Sequence, residues 1–408
     1  MIPLHTNPCL PARWTILLGR LGWAVCCLLL SVSCSHTVAV DAAESNAATA
    51  EEQVTFYLTY GYQVDGDWII PLRIWVHEGP DLKRRALAKV GRAVIAKRAD
   101  LEALSDAQKQ LFDVRTSGFV ADSESRELVR FVFDGDAEHR EFVLTDGGQP
   151  IATDFNGLAE GRLKLDRETA AGLMQAQGAS DGWLRFRVVS EDHAGIGWVR
   201  LIPAKGHSVI SDIDDTVKIT GIPDGESVVL RNTFFREFVA APCMAELYRH
   251  FGDDVAFHYV SGGPWQMYEP LQHFLFADAV GFPSGSFHMK NVRTNPFEKE
   301  SYQDFWTLIA NGSEQATFDQ KLRQIRTILQ HFPGRTFTLI GDSGERDPEV
   351  FRQIREEFPE QVREIMIRVV TDPNGDDPGR LKGMKRILAN PGADESCHHL
   401  LDGLPRQL

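Results

Sequence analysis

Cysteine is scarce in this 408-residue chain. There are six, four of them within the first 34 residues, and no C-x-x-C pair, so a zinc ribbon or a thioredoxin-like redox site is excluded. Positive charge is also short: 43 Lys and Arg face 57 Asp and Glu, for a net charge of −14. That balance argues against a protein held to nucleic acid by phosphate contacts, and against loose electrostatic adhesion to anionic lipid. No internal repeat is visible, and the apolar run at 21–30 is too short for a comfortable membrane span. What remains is ordinary for a globular protein, 43% hydrophobic and 25% charged, enough to build full cores in two to three domains.

The short apolar run follows Arg13 and Arg20 and precedes small residues, the pattern of a secretory signal over residues 1–43. Two exits compete. Cleavage near Ala42-Ala43 gives a soluble exported protein, periplasmic or secreted; attachment of lipid at Cys34 gives an anchored one. Residues 44–53, rich in Ala, Glu, Ser and Asn, suit a linker. Cys243 and Cys397 are left for the body, and spacing alone does not say whether they pair.

Residues 54–204 read as β-rich. Strands are expected at 54–58, 68–76, 128–133, 141–145, 161–165, 184–190 and 197–202, separated by Gly-Asp and Gly-Gly turns. A Pro-free stretch at 82–112 reads as helical. The whole predicts a β-sandwich-like domain with a helical insertion. Over 205–372 the pattern alternates strands (209–211, 255–260, 336–340, 365–370) with helices (244–250, 267–276, 318–331, 348–358), which predicts an α/β fold with a parallel sheet covered on both faces. Residues 373–408 are expected to be a peripheral tail with one helix near 379–388.

The chemistry concentrates at Asp212-Ile213-Asp214-Asp215-Thr216, directly after the apolar Val209-Ile210-Ser211. Two carboxylates two residues apart, where a buried strand opens into a loop, repel one another and need a cation, a shared proton or solvent. Phosphoryl transfer needs a nucleophile, an acid and a Mg²⁺ ligand close together, and this pair can supply all three. Three further motifs fall at strand ends or on a helix within reach, where open α/β sheets bind ligands. They are Ser261-Gly262-Gly263, Lys321, and Gly341-Asp342-Ser343-Gly344-Glu345-Arg346-Asp347. A hydroxyl followed by glycines lets backbone N–H groups approach an anion.

In this order the four motifs resemble the haloacid dehalogenase superfamily. Residues 211–218, the run Phe257-His258-Tyr259-Val260-Ser261 with Pro264-Trp265, and residues 341–349 look like its actin-patch-associated phosphatidate phosphatase family, over about 205–372. The resemblance implies a Rossmann-like catalytic domain. It implies Asp212 as nucleophile and Asp214 as general acid, then base. Ser261, Gly262 and Lys321 would bind phosphate. Asp212, Asp214 through its carbonyl, and Asp342 would hold Mg²⁺. Thr216, Glu345 and Asp347 would support them, Thr216 by a hydrogen bond that fixes the acid. Arg323 and Arg326 are alternatives to Lys321, and Lys290 or Arg293 would meet substrate. The implied substrate is phosphatidate or a related lipid phosphomonoester, with membrane association and no nucleic-acid partner. Two other readings stay open: the same chemistry on a sugar phosphate, nucleotide or phosphoprotein, and a non-catalytic surface-binding module. The 49 residues from Asp212 to Ser261 leave no room for a large lid, whereas 295–313 could hold a small one.

Overall fold

The computed structural model describes residues 52–190, 192–292, 314–371 and 379–388. The expected signal with Cys34, together with Arg293, the segment 295–313 and Cys397, lies outside the described residues. Cys243 is disulfide-bonded. No helix among the described residues is long and apolar enough to cross a membrane.

Two sheets organise the chain. The first joins twelve strands, nine along one hydrogen-bonded path and three branching from it, and is mostly antiparallel. Its long strand Asp67–Glu78 alternates half-buried and buried residues, the period of two that a sheet with one core-facing side dictates. Phe56, Ile74, Phe131, Leu163 and Phe186, from strands spread across this sheet, share one core, so the sheet curls around its own apolar face. The first strand starts at Glu52, inside the expected linker. The predicted helical stretch is two helices, Leu82–Arg98 and Asp106–Arg115. Asp100, in the left-handed region at φ 55°, lies in the break, and Ser105 starts the second helix with a capping box. Helix Arg167–Gln177, capped by Asp166, was not foreseen.

The second sheet has six strands, all parallel. Its spatial order is Gly285–Lys290, Ala256–Pro264, Gly206–Ser211, Arg335–Asp342, Val362–Val369, Lys385–Leu388. Counted along the chain this is 3-2-1-4-5-6, so the order reverses between Gly206–Ser211 and Arg335–Asp342. Connections leave such a point in opposite directions and open a crevice at the strands' C-terminal ends. On the central strand, Val209 packs with helices Met244–His250 and Tyr268–Leu275, and its neighbour Ile210 with helices Glu314–His331 and Asp347–Glu357. Successive side chains point to opposite faces, so the sheet is covered on both.

Two expectations need correction. The helix expected near 379–388 is instead the strand Lys385–Leu388, which extends the parallel sheet and buries Ile387. Four residues with one buried side chain carry little period, and pairing with Val362–Val369 decides their state. Residues 285–290, absent from the predicted strands, form the opposite edge strand.

The two sheets also share apolar packing. Tyr57, Leu58 and Trp75 join one core with Val209, Tyr248 and Phe287, and Tyr60 and Tyr62 join the other with Ile210 and Phe332. Tyr268, expected as a packing residue, accepts a hydrogen bond from Leu58 N at 3.0 Å. Tyr62 stacks on His331 at 3.9 Å, and the Tyr60 hydroxyl lies 2.8 Å from His331 Nδ1.

Histidines at these packed positions set an acid limit. Burial lowers His77, His207 and His331 to about 4 and His288 to about 3, from an ordinary 6.5. A histidine whose folded pKa lies below its unfolded value costs nothing above pH 6.5. Below it, the unfolded chain takes up protons that the folded chain refuses. Stability is therefore expected to fall from about pH 6.5 down to about 4, by up to ~1.4 kcal/mol per pH unit for each fully buried histidine. Urea midpoints measured across that range check this; a flat profile contradicts it.

Candidate active site

The strand Gly206–Ser211 ends at the crevice and delivers Asp212, which is 2% exposed. The chain then folds back tightly. Ile213 C=O accepts the N–H groups of Thr216, Val217 and Lys218. Asp215, left-handed at φ 54°, accepts from Thr220 N and Gly221 N at 2.8 Å and from Ile222 N at 2.6 Å. Arg368, one strand further along the sheet, donates to the Asp215 carbonyl at 2.6 Å. The turn is thus closed by its own polar groups, and Asp212 and Asp214 emerge together.

Lys321 comes from helix Glu314–His331, on the same face as the buried Ile325 and Ile328. A lysine at a core-facing position needs partners, and here it has three carboxylates. Its Nζ lies 2.7 Å from Asp212 Oδ1, 2.6 Å from Asp347 Oδ1 and 3.0 Å from Glu345 Oε2. The alternatives are elsewhere: Arg323 is exposed, and Arg326 pairs with Glu357. Asp342 ends the strand Arg335–Asp342, and its Oδ1 accepts from Gly344 N at 2.6 Å and Glu345 N at 3.2 Å. Asp347, the first residue of the next helix, accepts Asp342 N at 3.3 Å. Gly341 is required there, since a Cβ would lie 2.7 Å from that of Asp347.

Ser261, fully buried in strand Ala256–Pro264, donates to Asp214 Oδ2 at 3.3 Å and accepts Gly263 N at 2.9 Å. Gly262 runs beside Thr317, where a Cβ would stand 2.8 Å from Thr317 Cγ2. The structure therefore brings together Asp212, Asp214, Ser261, Lys321, Asp342, Glu345 and Asp347, with Gly262 beside Ser261. The Thr216 hydroxyl is buried without a hydrogen-bond partner among the described residues, and the bond to the acid comes from Thr220, which donates to Asp214 Oδ1 at 2.7 Å. Thr216 instead serves the turn through its backbone. His258 is a core residue, its Nδ1 2.8 Å from Ser286 Oγ.

Asp215, Lys218 and Thr220 had been given no role from the sequence. Lys218 Nζ lies 2.8 Å from Asp214 Oδ1, and its side chain is buried. The available signal was a lysine enclosed by the apolar Val217 and Ile219 immediately after the acidic motif.

Charge dominates this site. Burial pushes Asp214 up, but the pull of Lys218, with Thr220 and Lys321, outweighs it and leaves Asp214 below the usual carboxylate range. Burial and the like charges of Asp347, Glu345 and Asp342 push Asp212 well up, against the pull of Lys321. Asp342 is raised by burial and by Asp347 and Glu345. Lys321 is lowered by burial but raised further by Asp212, Asp347 and Glu345, and so stays charged. Four carboxylates thus share one ammonium. Asp212, Asp342 and Glu345 each offer an oxygen within 4.8 Å of the others, and Asp212 Oδ2 and Asp342 Oδ2 are buried with no hydrogen-bond partner among the described residues. Orphaned hard oxygens with surplus negative charge fit a divalent cation such as Mg²⁺.

Arg380, beyond the fourth and fifth strands, reaches back to this loop. It donates to the carbonyls of Ser343 at 2.7 Å and Glu345 at 2.5 Å and pairs with Glu349. Removing such a support shifts metal affinity by about 10–100-fold. Arg380→Ala is accordingly expected to weaken binding of any divalent cation held by this cluster by at least about tenfold, read by titrating Mg²⁺ against the melting temperature; a titration unchanged from that of the wild type contradicts this.

Comparison with known proteins follows the same boundaries. Residues 207–369 match the family model described as phosphatidate phosphatase APP1, catalytic domain. Phosphatidate phosphatase APP1 of Saccharomyces cerevisiae is 32% identical over 177 residues, 42% of this chain and 27% of the yeast protein. A Schizosaccharomyces pombe protein, named only as uncharacterized, is 28% identical over 182 residues, 42% of this chain and 26% of its own length. The aligned region is thus about a quarter of each relative. A solved siderophore-interacting protein aligns over 81% of this chain at 10% identity with a TM-score of 0.18, too slight to carry an argument.

Proposed function

We propose, from the match of residues 207–369 to the phosphatidate phosphatase APP1 catalytic-domain model, that this chain is a Mg²⁺-dependent phosphatase of phosphatidate or a related lipid phosphomonoester. We read its parallel sheet as a Rossmann-like domain of haloacid dehalogenase type, a reading supported by the 3-2-1-4-5-6 order and the acidic switch point. We also take the leader to export the protein to a periplasmic or extracellular space. The observation that carries the reading is Asp212: a buried carboxylate at the switch point, 2.7 Å from a buried lysine, with its second oxygen free of hydrogen bonds among the described residues.

In this proposal an Asp212 oxygen attacks phosphorus, the P–O bond to the glycerol carbon chain breaks, and an aspartyl-phosphate forms. Asp214 gives its proton to the departing alkoxide. The arriving dianionic phosphate adds negative charge beside Asp214, which raises its proton affinity for this step. Asp214 then takes a proton from water as the water oxygen attacks phosphorus, the bond to Asp212 breaks, and inorganic phosphate leaves. Ser261 and Lys321 stabilise the phosphoryl oxygens. Asp212, Asp342 and Glu345, with the Asp214 carbonyl, would hold Mg²⁺, which when bound offsets the charge of the carboxylates and the phosphate.

The test is phosphate release from phosphatidate in mixed micelles, with Mg²⁺ and with EDTA, beside p-nitrophenyl phosphate. Release from phosphatidate that EDTA abolishes and Mg²⁺ restores is the expected result. Turnover of the aryl ester alone would discard the lipid assignment and keep the chemistry; turnover indifferent to EDTA would discard the metal.

A further inference from the structure

A cavity of about 270 Å³ opens between the first sheet, the helical insertion and the segment that follows Ser261-Gly262-Gly263. None of the acidic-cluster residues lines it. Four aromatic rings wall it: Tyr57, Trp75, Phe119 and Trp265. Arg73 lies against two of them, its guanidinium carbon 4.9 Å from the Trp265 ring centroid and 5.5 Å from that of Tyr57. Its charge is met by an ion pair with Glu160, and that of Arg84, the other arginine of the lining, by Asp122. With Asp154 also in the lining, the cavity holds no surplus positive charge to attract a phosphate or carboxylate.

The polar lining points to a different ligand. Gln266 and Asn291 line it with carboxamides, each able both to donate and to accept. A hydroxyl does the same, so a ligand rich in hydroxyls matches this wall. Asn156 adds an amide on the same wall. Aromatic faces pack the C–H faces of a saturated ring, and the volume sits at the small end of ligand pockets, suited to one ring. We propose that this cavity is a binding site for a neutral sugar ring.

The position gives the site a route to the chemistry. Trp265 and Gln266 follow Ser261 by four and five residues and form a short 3-10 turn with Met267. Gly118 of the insertion lies against the Gln266 backbone so closely that a Cβ would stand 2.7 Å from its carbonyl oxygen. A ligand held here touches both halves of the fold.

The test uses the full chain and free glucose, galactose, mannose and N-acetylglucosamine, followed by saturation-transfer NMR and tryptophan fluorescence. At least one sugar is expected to bind saturably and to quench fluorescence. Trp265→Ala and Asn156→Ala are each expected to weaken that binding by about tenfold or more. Asn156 sits on a surface loop, so its variant decides the matter if Trp265→Ala melts early. Absence of binding for all four sugars, or binding unchanged in Asn156→Ala, overturns the proposal. Displacement of the bound sugar by inorganic phosphate also overturns it, because it would make the site anionic. None of these outcomes depends on phosphatase turnover.

Discussion

Asp212→Asn is expected to slow phosphate release by at least about 10³-fold on every ester the wild type hydrolyses, with the fold intact. An amide oxygen does not attack phosphorus, and no other carboxylate occupies its place: Asp214 is held by Lys218, Thr220 and Ser261, and Asp342 Oδ1 by two backbone N–H groups. Stability should move the other way. Asp212 is pushed well above the usual carboxylate range by burial and by Asp347, Glu345 and Asp342, so its charge is a burden on the metal-free fold. A neutral isostere removes that repulsion at the cost of one contact to Lys321. The melting temperature without Mg²⁺ should be equal to or above that of the wild type, and the rise that Mg²⁺ gives the wild type should shrink. Full turnover in the variant would end the nucleophile assignment. Lost turnover with a collapsed melting temperature would show a folding role instead.

The second large effect belongs to Lys321. Lys321→Met keeps the length and apolar stem of the side chain but strands Asp212, Asp347 and Glu345, which now lie at 2.6–3.0 Å from its ammonium. Removing one partner of a buried ionic cluster costs about 3–5 kcal/mol, because uncompensated charge stays inside. The pH dependence follows in sign. Without the lysine, the folded-state pKa values of Asp212 and Glu345 rise further above their unfolded values. The destabilisation is then complete at pH above those folded values and fades as pH falls and the carboxyls protonate. Urea unfolding at neutral and mildly acidic pH should show the variant recovering toward wild type in acid. The double variant Lys321→Met/Asp347→Asn should recover part of the loss at neutral pH. Lys321→Arg is not expected to substitute, since a planar fork does not match three oxygens gathered around one point. A Lys321→Met loss below about 1 kcal/mol, or one independent of pH, contradicts the ionic account.

Particular residues show how far the sequence could be read. Asp212, Asp214, Ser261, Lys321 and Asp342 stood out through the order of their motifs at predicted strand ends and on a helix, and through the resemblance that order carries; a strand-end serine or a helical lysine alone would not have shown itself. Lys321 was separable from Arg323 and Arg326 only by tertiary contact: in sequence all three are cations within six positions of one helix. Thr216 was assigned a hydrogen bond that Thr220 makes, because the turn at Asp215 reverses the chain and exchanges which hydroxyl meets Asp214. The edge strands Gly285–Lys290 and Lys385–Leu388 were missed since short edge segments take their state from pairing.

The sequence by itself determined the alternation of strands and helices after residue 205, the identity of the acidic groups and their order along the chain. Those follow from local periodicity and from residue type. Tertiary structure alone decided that Lys321 meets three carboxylates from other segments, that Lys218 holds Asp214, that Arg380 braces the acidic loop, and that Arg73 and Gln266 face a common cavity. These are contacts between segments far apart in the chain, set by strand order and helix packing, and no local pattern encodes them.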